Sequence, residues 1–317
     1  MPHTKSASFI FINYLLLFGA GLIWGSQYIL NKIALESFST SMIAAGRVGI
    51  GAFTLTLLLA AVSKKNSPEI SKYSFWKTLP DFILIGLLEA TLPCILVAWA
   101  QIELASSIVA ILIGTVPLFT TLLEAFFIKE SKISTNNAMG IFLGFIGIVV
   151  LVWPQFSHVA ITSDSAPASL FLPIVTVIAS ALFFAMAMLL IQVRLGSHFG
   201  PIRSAQGILV GATITTIPLM LLWTKPWKIT SFHPTSSATI ALVILGIFCG
   251  GVVYTLFVML IHRAGPSFAS TCNYLVPPIG AFIGIAFNRE KMTVTLLCSL
   301  GLILFSLWLS SKKKKRG

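Results

Sequence analysis

Residues 87–99 read LLEATLPCILVAW. The stretch lies inside an apolar run of about 79–101, and Glu89 falls about ten residues into it. At ~1.5 Å per helical residue the carboxyl is roughly 15 Å from the start of the run, which is the middle of a bilayer. A charge there costs on the order of 2.5–3.5 kcal/mol. Four residues later Pro93 has no N–H to give to the Glu89 carbonyl, and its ring forces that turn open. A turn offering an acid and a freed carbonyl is stable in a membrane only where it faces protein or water. The structural alternative is a carboxyl that merely ties two helices together, neutral or paired with Arg47. The functional one is a ligand for a cation, or a proton carrier.

The rest of the chain makes the membrane reading general. Of 317 residues, 56% are hydrophobic and 9% charged, and the mean hydropathy is +0.95. A soluble domain carries about a quarter charged residues. The net charge of +12 forms no basic patch with interleaved aromatics, so nucleic acid is not expected as a partner. The basic residues punctuate apolar runs and end in KKKKRG (312–317), as in a chain oriented across a bilayer. Cys94, Cys249, Cys272 and Cys298 all sit in apolar segments without metal-ligand or disulfide-framework spacing. The histidines have no companions at metal spacing, and there is neither a Walker loop nor a GxGxxG after a strand. No metal, cofactor or direct ATP drive is expected.

A helix needs about 20 apolar residues to cross the hydrocarbon. Ten segments qualify: about 11–34, 40–62, 79–101, 104–128, 135–153, 169–193, 203–223, 238–261, 266–288 and 292–310. An even number puts both termini on one side. That side collects fifteen basic residues (Lys5, Lys64, Lys65, Lys72, Lys77, Lys129, Lys132, Arg194, Arg203, Arg263 and 312–316). The other has five (Lys32, Lys225, Lys228, Arg289, Lys291), and Arg47 stays inside a span. The asymmetry predicts cytoplasmic termini.

A shift of 160 residues overlays the two halves. Gly51 meets Gly211, Gly86 meets Gly246, Ser107 meets Ser267, Val116-Pro117 meets Val276-Pro277, and Lys129-Glu130 meets Arg289-Glu290. Five spans per half is an odd number, so the second half enters the membrane inverted. The expected fold is therefore all-α: ten transmembrane helices in two inverted five-helix repeats, 1–155 and 169–311, around a central cavity, with a basic tail at 312–317. Inverted repeats suit alternating-access carriers, which hold substrate near the midplane between the halves.

Several motifs carry a family resemblance over nearly the whole chain. They are Trp24-Gly25, PLFTTLLEAFFIKESKI (117–133), its echo PPIGAFIGIAFNREKMT (277–293), and the spans GIFLGFIGIVV and GLILFSLW that follow. In these the chain resembles the EamA-type carriers of the drug/metabolite transporter superfamily. Lys129, where a glycine is common, and the doubled Pro277-Pro278 depart from the pattern without touching the fold. The resemblance implies a bacterial inner-membrane carrier with a central cavity. It also extends in overall character to the carriers of obligate intracellular bacteria that take up S-adenosylmethionine in exchange for S-adenosylhomocysteine.

The candidate substrate-binding residues are those that break the apolar pattern. Arg47 lies at a depth from which it reaches either Glu89 or a substrate carboxylate in its bidentate fork. Trp24, Gln27, Tyr28 and Asn31 recur at helical spacing. With Phe183, Phe184 and Tyr254 they offer rings for a flat or cationic ligand, or else a packing stripe. Pro277 and Pro278 are expected to free the carbonyls of Asn273 and Tyr274, and Pro117 that of Ile113. Pro93, Pro117, Pro277 and Pro278 are thus the expected helix breaks. Glu130 and Glu290 read as structural, beside basic residues at helix ends.

These features predict a secondary carrier, not an enzyme, for a small amino-acid-like or nucleoside-containing metabolite, acting as a monomer or homodimer. The alternative is proton-coupled export of amino acids or amphipathic drugs with Glu89 as the proton carrier. A membrane-embedded enzyme would need facing catalytic groups, and a channel repeated rings of like residues.

Overall fold

The computed structural model describes residues 7–63, 74–100, 109, 112–128, 134–162, 171–196, 198–224, 233–276, 278–279 and 294–311. Among them every regular element is helical. In hydrocarbon a helix satisfies its own backbone, whereas an open strand edge would not. Six helical stretches are long and apolar enough to cross a membrane: Ser8–Asn31, Thr40–Ala61, Phe75–Val97, Phe171–Leu195, Pro201–Thr224 and Ser236–Ala264. Val116–Phe127, Ala138–Gly147 and Leu297–Ser306 are shorter apolar helices. Large apolar side chains such as Phe11, Phe126, Phe127, Trp153 and Trp223 point outward. Such a surface suits lipid and would be a liability in water.

In chain order the helices are α1 (Ala7–Ala34), α2 (Thr40–Ser63), α3 (Phe75–Gly86), α4 (Leu92–Ala100), α5 (Val116–Phe127) and α6 (Thr135–Thr162). The second half holds α7 (Phe171–Leu190), α8 (Pro201–Thr224), α9 (Ser236–Ile244), α10 (Val253–Ala264), α11 (Pro266–Ser270) and α12 (Val294–Ser311). Wider π-helical turns interrupt three long helices. Leu87–Thr91 joins α3 to α4, Leu245–Val252 joins α9 to α10, and Ile191–Leu195 extends α7. In the first the Leu92 N–H donates to the Leu87 carbonyl; in the second the Val253 N–H donates to the Phe248 carbonyl. Both are five-residue rather than four-residue spacings.

The first two π turns sit at matching places. Each has a glycine at its start: Gly86 directly precedes the first turn and Gly246 is the second residue of the other, and those glycines are 160 residues apart. Their neighbours match as well. A Cβ on Gly86 would lie 2.7 Å from the Ile208 carbonyl of α8, and one on Gly211 would lie 2.7 Å from the Ile83 nitrogen of α3. In the other half a Cβ on Gly250 would lie 2.6 Å from the Arg47 carbonyl of α2, and one on Gly51 would lie 3.0 Å from the Gly251 nitrogen. Bare backbones touch at both crossings, as small residues permit between membrane helices. α2 and α8 pack on each other at the centre, α6 pairs with α12, and α7 covers α4 and α5.

The expected helix breaks fall differently. Pro93 is the second residue of α4, and the irregular turn lies just before it, because a π turn is one way to relieve the ring's clash with the preceding turn. The span expected at 104–128 is not one continuous helix, since residues 114–115 form a turn. Pro117 sits in the first turn of α5 instead of its middle, where the missing N–H costs nothing. In the second half a turn at Thr271 follows α11, ahead of the proline pair. Pro278 is buried in helical backbone, and Pro277 lies outside the described residues.

Candidate functional site

Glu89 is the third residue of the first π turn and is 2% exposed. Its Oε2 is buried without a hydrogen-bond partner. Beside Pro93, which supplies no N–H, this leaves an acid in a widened turn with one carboxylate oxygen unmet. An unmet buried acceptor costs about 1–3 kcal/mol, more when charged.

Arg47, half-buried on α2, does not make the ion pair with Glu89 that depth alone allows. Its Nε and Nη2 donate to the Cys249 carbonyl at 3.2 and 2.9 Å. Cys249 lies in the second π turn, where the five-residue register leaves carbonyls short of chain donors. Arg47 therefore ties the first half to the second. A guanidinium has five N–H groups, and three of these remain for another acceptor. The charges of Glu89 and Arg47 both reach the Tyr254 phenol and the Cys94 thiol. The four groups thus share one region, and Cys94 is an exposed residue.

Trp24 packs edge to face on Tyr254 and Phe257, with ring centroids 6.0 and 4.9 Å away. Phe183 and Phe184 pack against the same apolar core. Gln27, three residues beyond Trp24, has its Oε1 buried without a partner. Asn31 is half-buried near the end of α1. Tyr28 is on α1, and its side chain lies outside the described residues. The other polar node is locally occupied. The Asn273 Nδ2 donates to the Ser270 carbonyl at 2.9 Å. Tyr274 is fully buried, its hydroxyl donates to the Ile141 carbonyl at 2.7 Å, and its ring presses on Gly144. In this arrangement the Tyr274 hydroxyl is engaged by a neighbouring helix, and Asn273 is bound to the last residue of α11.

Three features were not singled out from sequence. Thr91, two residues after Glu89, bonds Thr215 and Thr216 of α8 at 2.7 and 2.9 Å. Glu124 of α5 accepts from the Ser267 backbone N–H at 3.0 Å and from the Ser267 hydroxyl. It thereby caps α11 next to Gly265, whose φ of 90° makes the sharp link from α10. Phe257 completes the ring cluster. Glu124 carried the same signal as Glu89, an acid in an apolar run, while Phe257 follows Tyr254 at helical spacing.

Contacts between the halves lie at both ends. At the end holding the start of α1, Arg194 pairs with Asp81 at 3.1 Å and the Arg263 Nε donates to the Asn13 Oδ1 at 2.9 Å. At the other end hydroxyls meet: Ser41 with Thr224 at 2.6 Å and Ser37 with Thr235 at 3.3 Å.

Apolar helices long enough to cross a membrane, a buried acid with an unmet oxygen and ties between the halves are features that suit a transporter. The EamA-like transporter family model matches twice, over residues 11–153 and 171–312, and the chain belongs to that family. Among its relatives is an uncharacterized transporter of Archaeoglobus fulgidus, 22% identical over 92% of this chain and 95% of that one. Another is the uncharacterized inner membrane transporter YedA of Escherichia coli, 26% identical over 92% of this chain and 87% of that one. A crystal structure at 16% identity shares the fold, with a TM-score of 0.75 over 94% of this chain and 96% of the other. The protein is a multi-pass membrane transporter.

Proposed function

We propose that this transporter is a secondary carrier working by alternating access, with ten spans in two inverted repeats and both termini in the cytoplasm of a bacterium. The repeats are 1–155 and 169–311. The matching π turns and glycine crossings, 160 residues apart, support that layout. The cargo is a small metabolite with a cationic group, and S-adenosylmethionine, taken up in exchange for S-adenosylhomocysteine, is the specific assignment. The observation that carries this is Glu89, buried inside the bundle with its Oε2 unpartnered. Arg47, with N–H groups to spare, receives the substrate carboxylate, and the rings around Trp24 flank a flat base.

Counterflow in liposomes tests it. Protein loaded with internal S-adenosylhomocysteine should accelerate uptake of labelled external S-adenosylmethionine. Uptake indifferent to internal substrate would overturn the exchange. The second reading, proton-coupled export with Glu89 carrying the proton, draws on the same unpartnered carboxyl. Under it Glu89→Gln would still exchange substrate and lose only its dependence on a proton gradient.

A further inference from the structure

The atoms left unpartnered on α1 and in the first π turn, the Gln27 Oε1 and the Glu89 Oε2, are both acceptors. Buried acceptors are completed by N–H or O–H donors, and a cation without such hydrogens leaves them as bare as before. The one deep guanidinium does not fill the need, because Arg47 is turned to the Cys249 carbonyl. The described rings near Trp24 spend part of their surface on one another. A methylated cation sits over ring faces, up to about 6 Å from each centroid. Here Trp24 packs edge to face on Tyr254 and Phe257, at 6.0 and 4.9 Å, so each pair fills one approach to a ring face that such a cation would use.

We infer that the Glu89 site selects a protonated primary amine for its N–H groups and discriminates against quaternary ammonium and sulfonium centres. This rests on the reading of Glu89 as a substrate ligand, and it sharpens the exchange proposed above. S-adenosylmethionine and S-adenosylhomocysteine differ only in the sulfonium methyl and its charge. A site that takes both in turn must grip what they share, and the α-ammonium is the shared cation. The sulfonium then lies away from Glu89.

The test compares each amine with its N,N,N-trimethyl derivative, which keeps the charge and removes every N–H. Two pairs are used, one built on S-adenosylhomocysteine and one on tryptamine. Thermal stabilisation of the purified full-length protein is the readout, since a ligand stabilises the state it binds. The parent amine should reach a given shift at about one tenth of the concentration its trimethyl derivative needs, or less. In Glu89→Gln that gap should close to within about threefold. Protection of Cys94 from N-ethylmaleimide by the same ligands, read by peptide mass spectrometry, places the effect at this site. Equal potency of parent and trimethyl forms on wild type would overturn the inference, as would an undiminished gap in Glu89→Gln or no stabilisation by any amine. Discrimination within the tryptamine pair without binding of the nucleoside pair would sink the S-adenosylmethionine assignment and leave the amine rule standing.

Discussion

The π turn at Leu87–Thr91 and the π turn at Leu245–Val252 are the same backbone device with opposite chemistry. Each starts at a glycine, Gly86 just before the first and Gly246 within the second, and each crosses a partner helix from the other half at bare-backbone distance. Shifted by 160 residues, Glu89 falls on Cys249 and Arg47 on Gly207. The first turn holds an acid, and the position facing it that would match Arg47 is Gly207, pressed on Phe82. The second turn holds no acid, and Arg47 has taken its carbonyl. A symmetric frame therefore presents an acceptor on one side and a donor on the other. That is the arrangement needed to hold one asymmetric molecule between two exchangeable halves, and it would be lost if either charge had its counterpart at the equivalent position of the other half.

The inversion underlying this comparison gives the all-or-none prediction. A cysteine placed at Asp164 should react with an impermeant maleimide in intact cells, and one at Asn66 should not. Three expected spans separate the two positions, an odd number. Equal labelling of both would break the inverted-repeat arrangement, and a reversed pattern would turn the whole molecule over.

The glycine crossings come next in size. Gly211→Val puts branched carbon where a Cβ already meets the Ile83 nitrogen at 2.7 Å, and that neighbour is backbone, so it cannot swing away. Overpacking of this kind costs about 1–3 kcal/mol or more. Loss of monodisperse protein on size exclusion is expected, and Gly250→Val should do the same at the other crossing. Gly301→Val, with nothing near its Cβ, is the control. A well-behaved Gly211→Val protein would show that the crossing is looser than the structure has it.

Charge removal follows. Glu89→Gln should weaken substrate by one to two orders of magnitude, given roughly 1.5–3 kcal/mol for a charged hydrogen bond. Arg47→Met should weaken ligands that carry a carboxylate by about tenfold and their decarboxylated analogues far less. Equal losses for both ligand types in Arg47→Met would reduce Arg47 to a tie between the halves, and the donor side of the comparison would fall.

The residues behind these predictions differ in how plainly the sequence announces them. Glu89 and Arg47 stand out because charge inside an apolar span is costly, so its presence demands a reason. The glycines of the crossings recur at a fixed offset and are visible without coordinates. The π turns are not, because a change of hydrogen-bond register leaves the residue types untouched. The partner of Arg47 is a main-chain carbonyl 202 residues away, and no pattern of side chains encodes that. Pro117 illustrates a different limit. A proline in an apolar run reads equally as a mid-helix kink or a first turn, and only the turn at residues 114–115 decides. Tyr274 looks polar enough for a binding site until its hydroxyl is seen spent on Ile141.

The smallest expected effect concerns what holds the first π turn in place. The Thr91 hydroxyl bonds Thr215 and Thr216 across the α8 interface, and the second π turn has no matching hydroxyl, since Gly251 stands at the position equivalent to Thr91. Interhelical hydrogen bonds within membranes average about 0.6 kcal/mol and reach about 1.7. Thr91→Val keeps the shape and removes both bonds, so the loss in stability should be on the order of 1 kcal/mol, read as a drop of a few degrees in melting temperature. The two threonines on α8 can rebond to their own backbone carbonyls, as Thr215 already does to Ala212 at 3.0 Å, which keeps the loss small. Substrate affinity should stay within about twofold, because the hydroxyl faces α8 and the Glu89 carboxyl receives no bond from it. A tenfold fall in affinity with unchanged melting temperature would mean that Thr91 positions Glu89. The hydroxyl cluster would then belong to the binding site, and the asymmetry between the two turns would extend beyond their charges.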